Sequence, residues 1–242
     1  MFKKSLFLFF LSAFLFTTSQ EVKHDPRSEI ILNAIQSKQT KRHHFKGSLT
    51  VICGSMCSGK SEELIRQVGR FTLAGFNVVV FKPSIDNREI LKLDLNPLSY
   101  ISSRNGSWTK CIPVTSCSEI LPIALNSDVD VVAIDEVMFF TDNTKEFISI
   151  IQQLLDAKKT IIIAGLDLNF RGEPFGPMPD LLAIADNVFK LTAICSVCQD
   201  DTYCITQRLI DGIPAHYNDP LIVVGASQYE PRCRKCHIIR KD

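Results

Sequence analysis

A chain of 242 residues with 45% hydrophobic side chains can bury a full core, either as one large domain or as a core with a small module, and it is not disordered. Its 27 Lys and Arg against 26 Asp and Glu leave almost no net charge, which removes the electrostatic basis for coating nucleic acid or an anionic membrane. Nine cysteines are an odd number and four of them form two C-x-x-C pairs, a pattern that favours metal ligation in a reducing compartment over a disulfide scaffold.

The N-terminus points the other way. Met1-Phe2-Lys3-Lys4, an apolar run from Leu6 to Phe16 broken by Ser12, and then Thr17-Thr18-Ser19 have the shape of a secretory signal. The run is too short for an ordinary membrane-spanning helix, so no stable membrane association is expected. Thiolate ligands belong inside the cell, as does the nucleotide triphosphate implied by the G-x-x-x-x-G-K-[ST] match at Gly54–Ser61, so a start codon placed too early, or a targeting segment into another ATP-containing compartment, fits better than export. The expectation is a cytoplasmic protein. Residues 21–46 carry six Lys or Arg, three acids and three of the five histidines, and read as an extension with room for one short helix. His43-His44 beside Lys41-Arg42 fit a solvated basic linker better than a metal or nucleic-acid site.

Leu49 to Cys53 reads as a buried strand and leads into Gly54-Ser55-Met56-Cys57-Ser58-Gly59-Lys60-Ser61, which matches G-x-x-x-x-G-K-[ST] at each fixed position. Glycine torsions allow successive N–H groups to turn inward around a phosphate, and the helix that follows aims its positive end at the same place. Lys60 supplies an ammonium for the outer phosphates and Ser61 a hydroxyl for Mg²⁺. From Ser61 to Ala74, Leu64, Ile65, Val68 and Phe71 share one helical face before Gly75 ends the helix.

Asn77 to Lys82 is a continuous apolar strand of the kind buried on both faces of a parallel sheet. It runs into Lys82-Pro83-Ser84-Ile85-Asp86-Asn87-Arg88, which places Asp86, Asn87 and Arg88 beyond a strand end where ligands gather. On position alone, Arg88 also fits a surface loop charge. Residues 89–110 are polar and turn-rich, and Trp108 reads as packing.

Asp130 to Glu136 is a second apolar strand, ending in two acids. An acid at such a strand end holds Mg²⁺ directly or through water, a role assigned to Asp135. Because neighbouring side chains on a strand diverge, Glu136 is the candidate base for the attacking hydroxyl or water. A helix over Thr144–Ala157 and a strand over Thr160–Leu166 continue the alternation, which predicts an α/β fold with a doubly wound, mainly parallel sheet. In Asp167-Leu168-Asn169-Phe170-Arg171-Gly172-Glu173-Pro174-Phe175-Gly176, the aromatics fit a ligand wall and a core equally well. A short helix is predicted from Pro177 to Asp186.

Cys195, Cys198, Cys233 and Cys236 form two knuckles suited to tetrahedral Zn²⁺. Four sulfur ligands leave no position for water, which assigns the zinc to structure rather than catalysis. Residues 199–232 exceed an ordinary ribbon loop, so a functional or structural insert is expected there. The three segments are therefore the extension 1–46, a phosphate-loop core 47–190 and a zinc module 191–242.

Five stretches, at 54–61, 81–88, 135–140, 167–176 and 225–233, occur in the order found in cellular-type (type II) thymidine kinases, and the chain resembles that family over residues 47–237. The resemblance implies transfer of the γ-phosphoryl group of ATP to the 5′-hydroxyl of thymidine, and of deoxyuridine, to supply dTMP for DNA synthesis. It implies Lys60 and Ser61 on phosphate and Mg²⁺, Asp135 in the Mg²⁺ shell, Asp86 and Arg88 on the nucleotide, and Glu136 on the 5′-hydroxyl proton. It further implies a zinc-anchored lasso in which backbone groups of Leu221, Ile222, Val223 and Val224 hold thymine, with Tyr229 near the sugar. Phe139 and Phe170 would line the pocket, with Leu166, Phe175 and Met56 beside them. Apolar walls around the thymine methyl give a preference of about 1–3 kcal/mol. A homotetramer that does not bind nucleic acid is the implied assembly. Two departures stand out: Met138 occupies a position where Gln is usual, and residues 1–46 have no counterpart in compact members. Competing readings are a kinase for another nucleoside or nucleotide, and an ATP-driven nucleic-acid-binding protein that uses the cysteine module as a grip.

Overall fold

The computed structural model describes residues 46–86, 96–141, 143–225 and 228–241. All of them belong to the compact unit Phe45–Asp242, the other unit being Met1–His44. The signal-like run, His43-His44, Asn87 and Arg88 lie outside the described residues.

The core is a six-stranded sheet built from β1 (Ser48–Cys53), β2 (Val78–Pro83), β5 (Ile112–Val114), β6 (Val131–Ile134), β7 (Thr160–Gly165) and β8 (Asn187–Lys190). The spatial order is β5-β2-β6-β7-β1-β8, and each pairing is parallel. The four central strands are those predicted from their apolar runs. The two edge strands were not foreseen. β5 contains Pro113, which an edge tolerates because one side of the ladder needs no donor. The four residues of β8 are all exposed and carry no burial pattern for periodicity to detect.

Continuous apolar runs are explained by the two cores they feed. On one face Ile52, Val80, Ala133 and Ile162 pack with Leu64 and Val68 of helix α1 (Lys60–Leu73). On the other, Val51, Cys53, Phe81, Val132, Ile134 and Ile163 meet α2 (Ile120–Ala124), α3 (Thr144–Asp156) and α4 (Met178–Ile184). Alternate residues of one strand thus serve opposite layers, so no position is left for polar alternation. A hairpin of β3 (Tyr100–Ser102) and β4 (Trp108–Lys110) covers part of the first face. There Trp108 meets Tyr100 edge-on at 5.4 Å and stays about half exposed, so it packs on one side only.

Beyond β8 the chain changes character. β9 (Ala193–Ile194) and β10 (Asp201–Thr202) form an antiparallel ladder, and β11 (Cys204–Ile210) sits between β12 (Ile213–Pro214) and β13 (Tyr229–Cys233). A polar knot ties this part to the sheet: the Tyr203 hydroxyl donates to Asp167 Oδ2 at 2.9 Å, and Lys190 Nζ approaches the same oxygen at 3.2 Å. Burial, then the Asp167 charge, raises the Tyr203 phenol well above its ordinary value and keeps it a donor.

Phe147 is fully buried under the sheet and stacks on Phe140 at 4.9 Å. Phe147→Ala is expected to cost about 3–5 kcal/mol of stability, read as a lower urea midpoint at unchanged m-value.

Candidate active site

In a parallel sheet the carboxyl ends of all strands face one rim, so the turns after β1, β2, β6 and β7 converge. The turn after β1 is the glycine loop. Gly54 has φ 146°, and a Cβ there would lie 2.6 Å from the carbonyl of Leu191, so no side chain fits. Cys57 and Gly59 also adopt positive φ, at 64° and 85°, which curls the loop before α1 begins. Lys60 is buried and its Nζ donates to the Ser55 carbonyl at 2.7 Å, while Ser58 Oγ donates to the same oxygen at 2.9 Å.

Ser61, on the first turn of α1, donates from Oγ to Asp135 Oδ2 at 2.9 Å. The other oxygen of Asp135 accepts the Glu136 N–H at 2.9 Å. Both acids are buried. Their divergence has a different cause from the one expected. β6 stops at Ile134, and Glu136 takes left-handed torsions (φ 51°, ψ 39°) that start a 3₁₀ turn over Val137–Phe139. The two side chains therefore separate through a backbone reversal rather than a strand pleat. An oxygen-only pair of hydroxyl and carboxylate is the donor set that suits Mg²⁺. Asp86, also buried, lies past β2 with Lys82 Nζ 3.5 Å from its carboxylate.

Beside these groups is a cleft of about 520 Å³, counting its open mouth. The glycine loop contributes Met56; the turn after β6 contributes Glu136, Met138 and Phe139. From the segment after β7 come Leu166, Asn169, Phe170 and Phe175. The C-terminal part supplies Thr206, Leu221, Ile222, Val223, Val224, Gly225 and Tyr229. The choice between wall and core for Phe170 and Phe175 resolves as both: each is nearly buried and each faces the cleft. Phe139 meets Phe175 edge-to-face at 6.4 Å, and the Tyr229 hydroxyl donates to the Val223 carbonyl at 2.7 Å. Met138 lines the cleft while only 1% exposed, so it meets the site through a small part of its surface.

Thr206, Asn169 and Gly225 were not singled out from sequence. Thr206 accepts the Met56 N–H at 3.0 Å across a separation of 150 residues, a contact no local pattern can announce. Asn169 accepts from the N–H groups of Arg171 at 2.8 Å and Glu173 at 3.2 Å, an Asx-type turn whose residue type was a usable signal.

The four cysteines of the two knuckles lie with all sulfurs within 4.8 Å of one another, and Cys198 and Cys233 Sγ are 3.7 Å apart. A tetrahedral Zn²⁺ with Zn–S bonds of about 2.3 Å has sulfur–sulfur edges of about 3.8 Å, so the cluster could bind zinc. The second knuckle is turned by N–H groups of Cys236 and His237 donating to the Cys233 carbonyl. Metal analysis of the purified chain is expected to return about one zinc per chain, lost on replacing Cys198 and Cys236 together by Ser. A folded chain free of metal contradicts it.

Among solved structures, domain III of the replication initiation protein DnaA from Thermotoga maritima aligns at 16% identity over 69% of this chain and 63% of that one, with a TM-score of 0.36. That likeness is too low to bear on fold or function. A family model described as thymidine kinase matches residues 47–237, a span that takes in the glycine loop, the acidic turn, the cleft walls and both cysteine knuckles. With that match extending from the first core strand to just past the last cysteine, the chain belongs to the thymidine kinase family.

Proposed function

We propose that this chain transfers the γ-phosphoryl group of ATP to the 5′-hydroxyl of thymidine, and of deoxyuridine, giving the 5′-monophosphate and ADP. The observation that carries the reading is that Met56 of the glycine loop and Glu136 of the acidic turn stand on the wall of one largely apolar cleft. Phosphate donor and nucleoside acceptor can meet only where those two elements adjoin.

The residues divide the work. Loop N–H groups from Gly54 to Ser61, with Lys60, hold the phosphates, and the N-terminus of α1 adds its positive end. Asp86, Asn87 and Arg88 belong to the nucleotide side of the proposal. Ser61 and Asp135 would hold Mg²⁺, which supplies charge neutralisation on the phosphates when bound. Phe139, Phe170 and Leu221–Val224 enclose the base, Tyr229 stands near the sugar, and the carbonyls and N–H groups of 221–225 offer it polar partners. Glu136 takes the 5′-hydroxyl proton as the new O–P bond forms and the bond to the departing ADP oxygen breaks.

Zinc at the cysteine cluster serves structure in this scheme. Assembly as a homotetramer extends the proposal on the strength of the family resemblance. Cytoplasmic action follows from the need for ATP and reduced thiolates.

With ATP and Mg²⁺, ADP formation is expected to depend on added thymidine, followed by coupled assay; ATP turnover indifferent to thymidine and deoxyuridine sinks the proposal. Glu136→Gln is expected to lower kcat by about 10²–10⁴ while nucleotide binding survives. Unchanged turnover removes Glu136 from the role of base.

A further inference from the structure

Residues 221–225 form one wall of the cleft without belonging to a helix or strand. A segment of that kind has no ladder to hold its shape, so its backbone must be fixed by something else. Among the described residues, three side chains do so by donating to its carbonyls or those just before it. Arg171 Nη2 reaches Asp219 O at 3.1 Å, Arg208 Nη1 reaches Pro220 O at 2.6 Å, and the Tyr229 hydroxyl reaches Val223 O at 2.7 Å. Arg208 and Tyr229 are direct cross-strand partners on β11 and β13, so one rung of that ladder holds the segment at two points.

The same two arginines also support another part of the cleft wall. The Arg171 guanidinium lies 5.4 Å and that of Arg208 5.6 Å from the ring centre of Phe170, which lines the cleft. Arg171 also stacks on Tyr217 at 4.8 Å. Two walls from distant parts of the chain are thus set against one pair of cations.

The energetics argue that this arrangement does not serve folding. Arg208 is 5% exposed, and neither arginine has a carboxylate within ion-pair distance among the described residues. The Nε atoms of both are buried without a hydrogen-bond partner among the described residues. A charge buried as that of Arg208 is unfavourable for stability, and an apolar side chain of similar volume often serves a fold as well; Arg171 is half-buried. What an apolar side chain does not supply is a rigid planar donor aimed at a carbonyl while its face lies on an aromatic ring.

We propose that Arg171 and Arg208 are a paired clamp that positions the segment 219–225 against Phe170 and thereby sets nucleoside affinity without touching the reacting atoms. The nucleoside part of this inference rests on the reading of the cleft as an acceptor pocket; the clamp itself does not. Arg208→Met keeps the volume and removes the donors.

For Arg208→Met the KM for thymidine is expected to rise about tenfold or more, with kcat at saturation and KM for ATP within about threefold of the unmodified chain. Its thermal midpoint is expected to be unchanged or higher. An unaltered KM for thymidine overturns the proposal, as does an equal loss in kcat, which marks general damage. Should the variant lack a cooperative unfolding transition, Arg208→Lys, which keeps the charge and loses the planar fork, is held to the same outcomes. Hydrogen exchange in the ligand-free chain gives an answer independent of substrate. The amide of Asp219, bonded to the His216 carbonyl at 3.0 Å beside the clamped Pro220, is expected to exchange about tenfold faster in the variant while those of α1 keep their rates. Unchanged exchange there overturns the clamp; faster exchange in a chain that leaves thymidine untouched supports the clamp and overturns only the acceptor reading.

Discussion

The hydrogen bond from Ser61 Oγ to Asp135 Oδ2, at 2.9 Å, joins the turn after β1 to the turn after β6 across the intervening β7. Neither turn alone makes a site. The glycine loop can wrap an anion but has no acid, and the acidic turn has two carboxylates but no cradle. Parallel pairing of β6, β7 and β1 brings both turns to the same rim, and the register Cys53↔Gly165 and Ile134↔Ile163 sets how far each projects. Moving one strand by a single residue would displace one turn against the other along the rim and send that strand's core side chains to the opposite layer.

Around that contact, backbone geometry separates tasks that the residue types leave merged. Glu136 holds left-handed torsions at a cost of about 1–3 kcal/mol for a residue with a side chain. The reversal lets Asp135 face Ser61 while Glu136 faces the cleft. Met138 and Phe139 follow on the same turn, so one short segment delivers both the acid and part of the apolar wall.

The far side of the cleft depends on fastenings over long stretches of chain. The Met56 N–H donates to Thr206, Tyr203 donates to Asp167, and the knuckles at 195–198 and 233–236 meet at one cluster of sulfurs. That cluster, which could bind zinc, closes the loop 199–232 at its base, so that its irregular part at 221–225 can present a defined wall. Small ladders, two arginines on Phe170 and one tyrosine hydroxyl complete what the cysteine cluster begins.

Much of this was legible in the residues. Four buried strands, the helices over Lys60–Leu73 and Thr144–Asp156, the glycine loop and the cysteine knuckles all announce themselves through local rules of periodicity, torsion and ligand spacing. Phe139, Phe170, Leu221 to Val224 and Tyr229, named through the family resemblance, do come together on one cleft. What stayed hidden has a common physical character. The exposed edge strand β8 buries nothing and so has no pattern; Thr206 and Arg208 differ from other strand residues only in what lies across from them. The reversal at Glu136 is imposed by where the chain must go next. Residue type determined which groups can bind phosphate, divalent metal or zinc, because those capacities reside in single side chains and short spacings. Tertiary structure alone decided which of those groups share a cleft and what holds its walls apart, because both depend on contacts between positions that are remote along the chain.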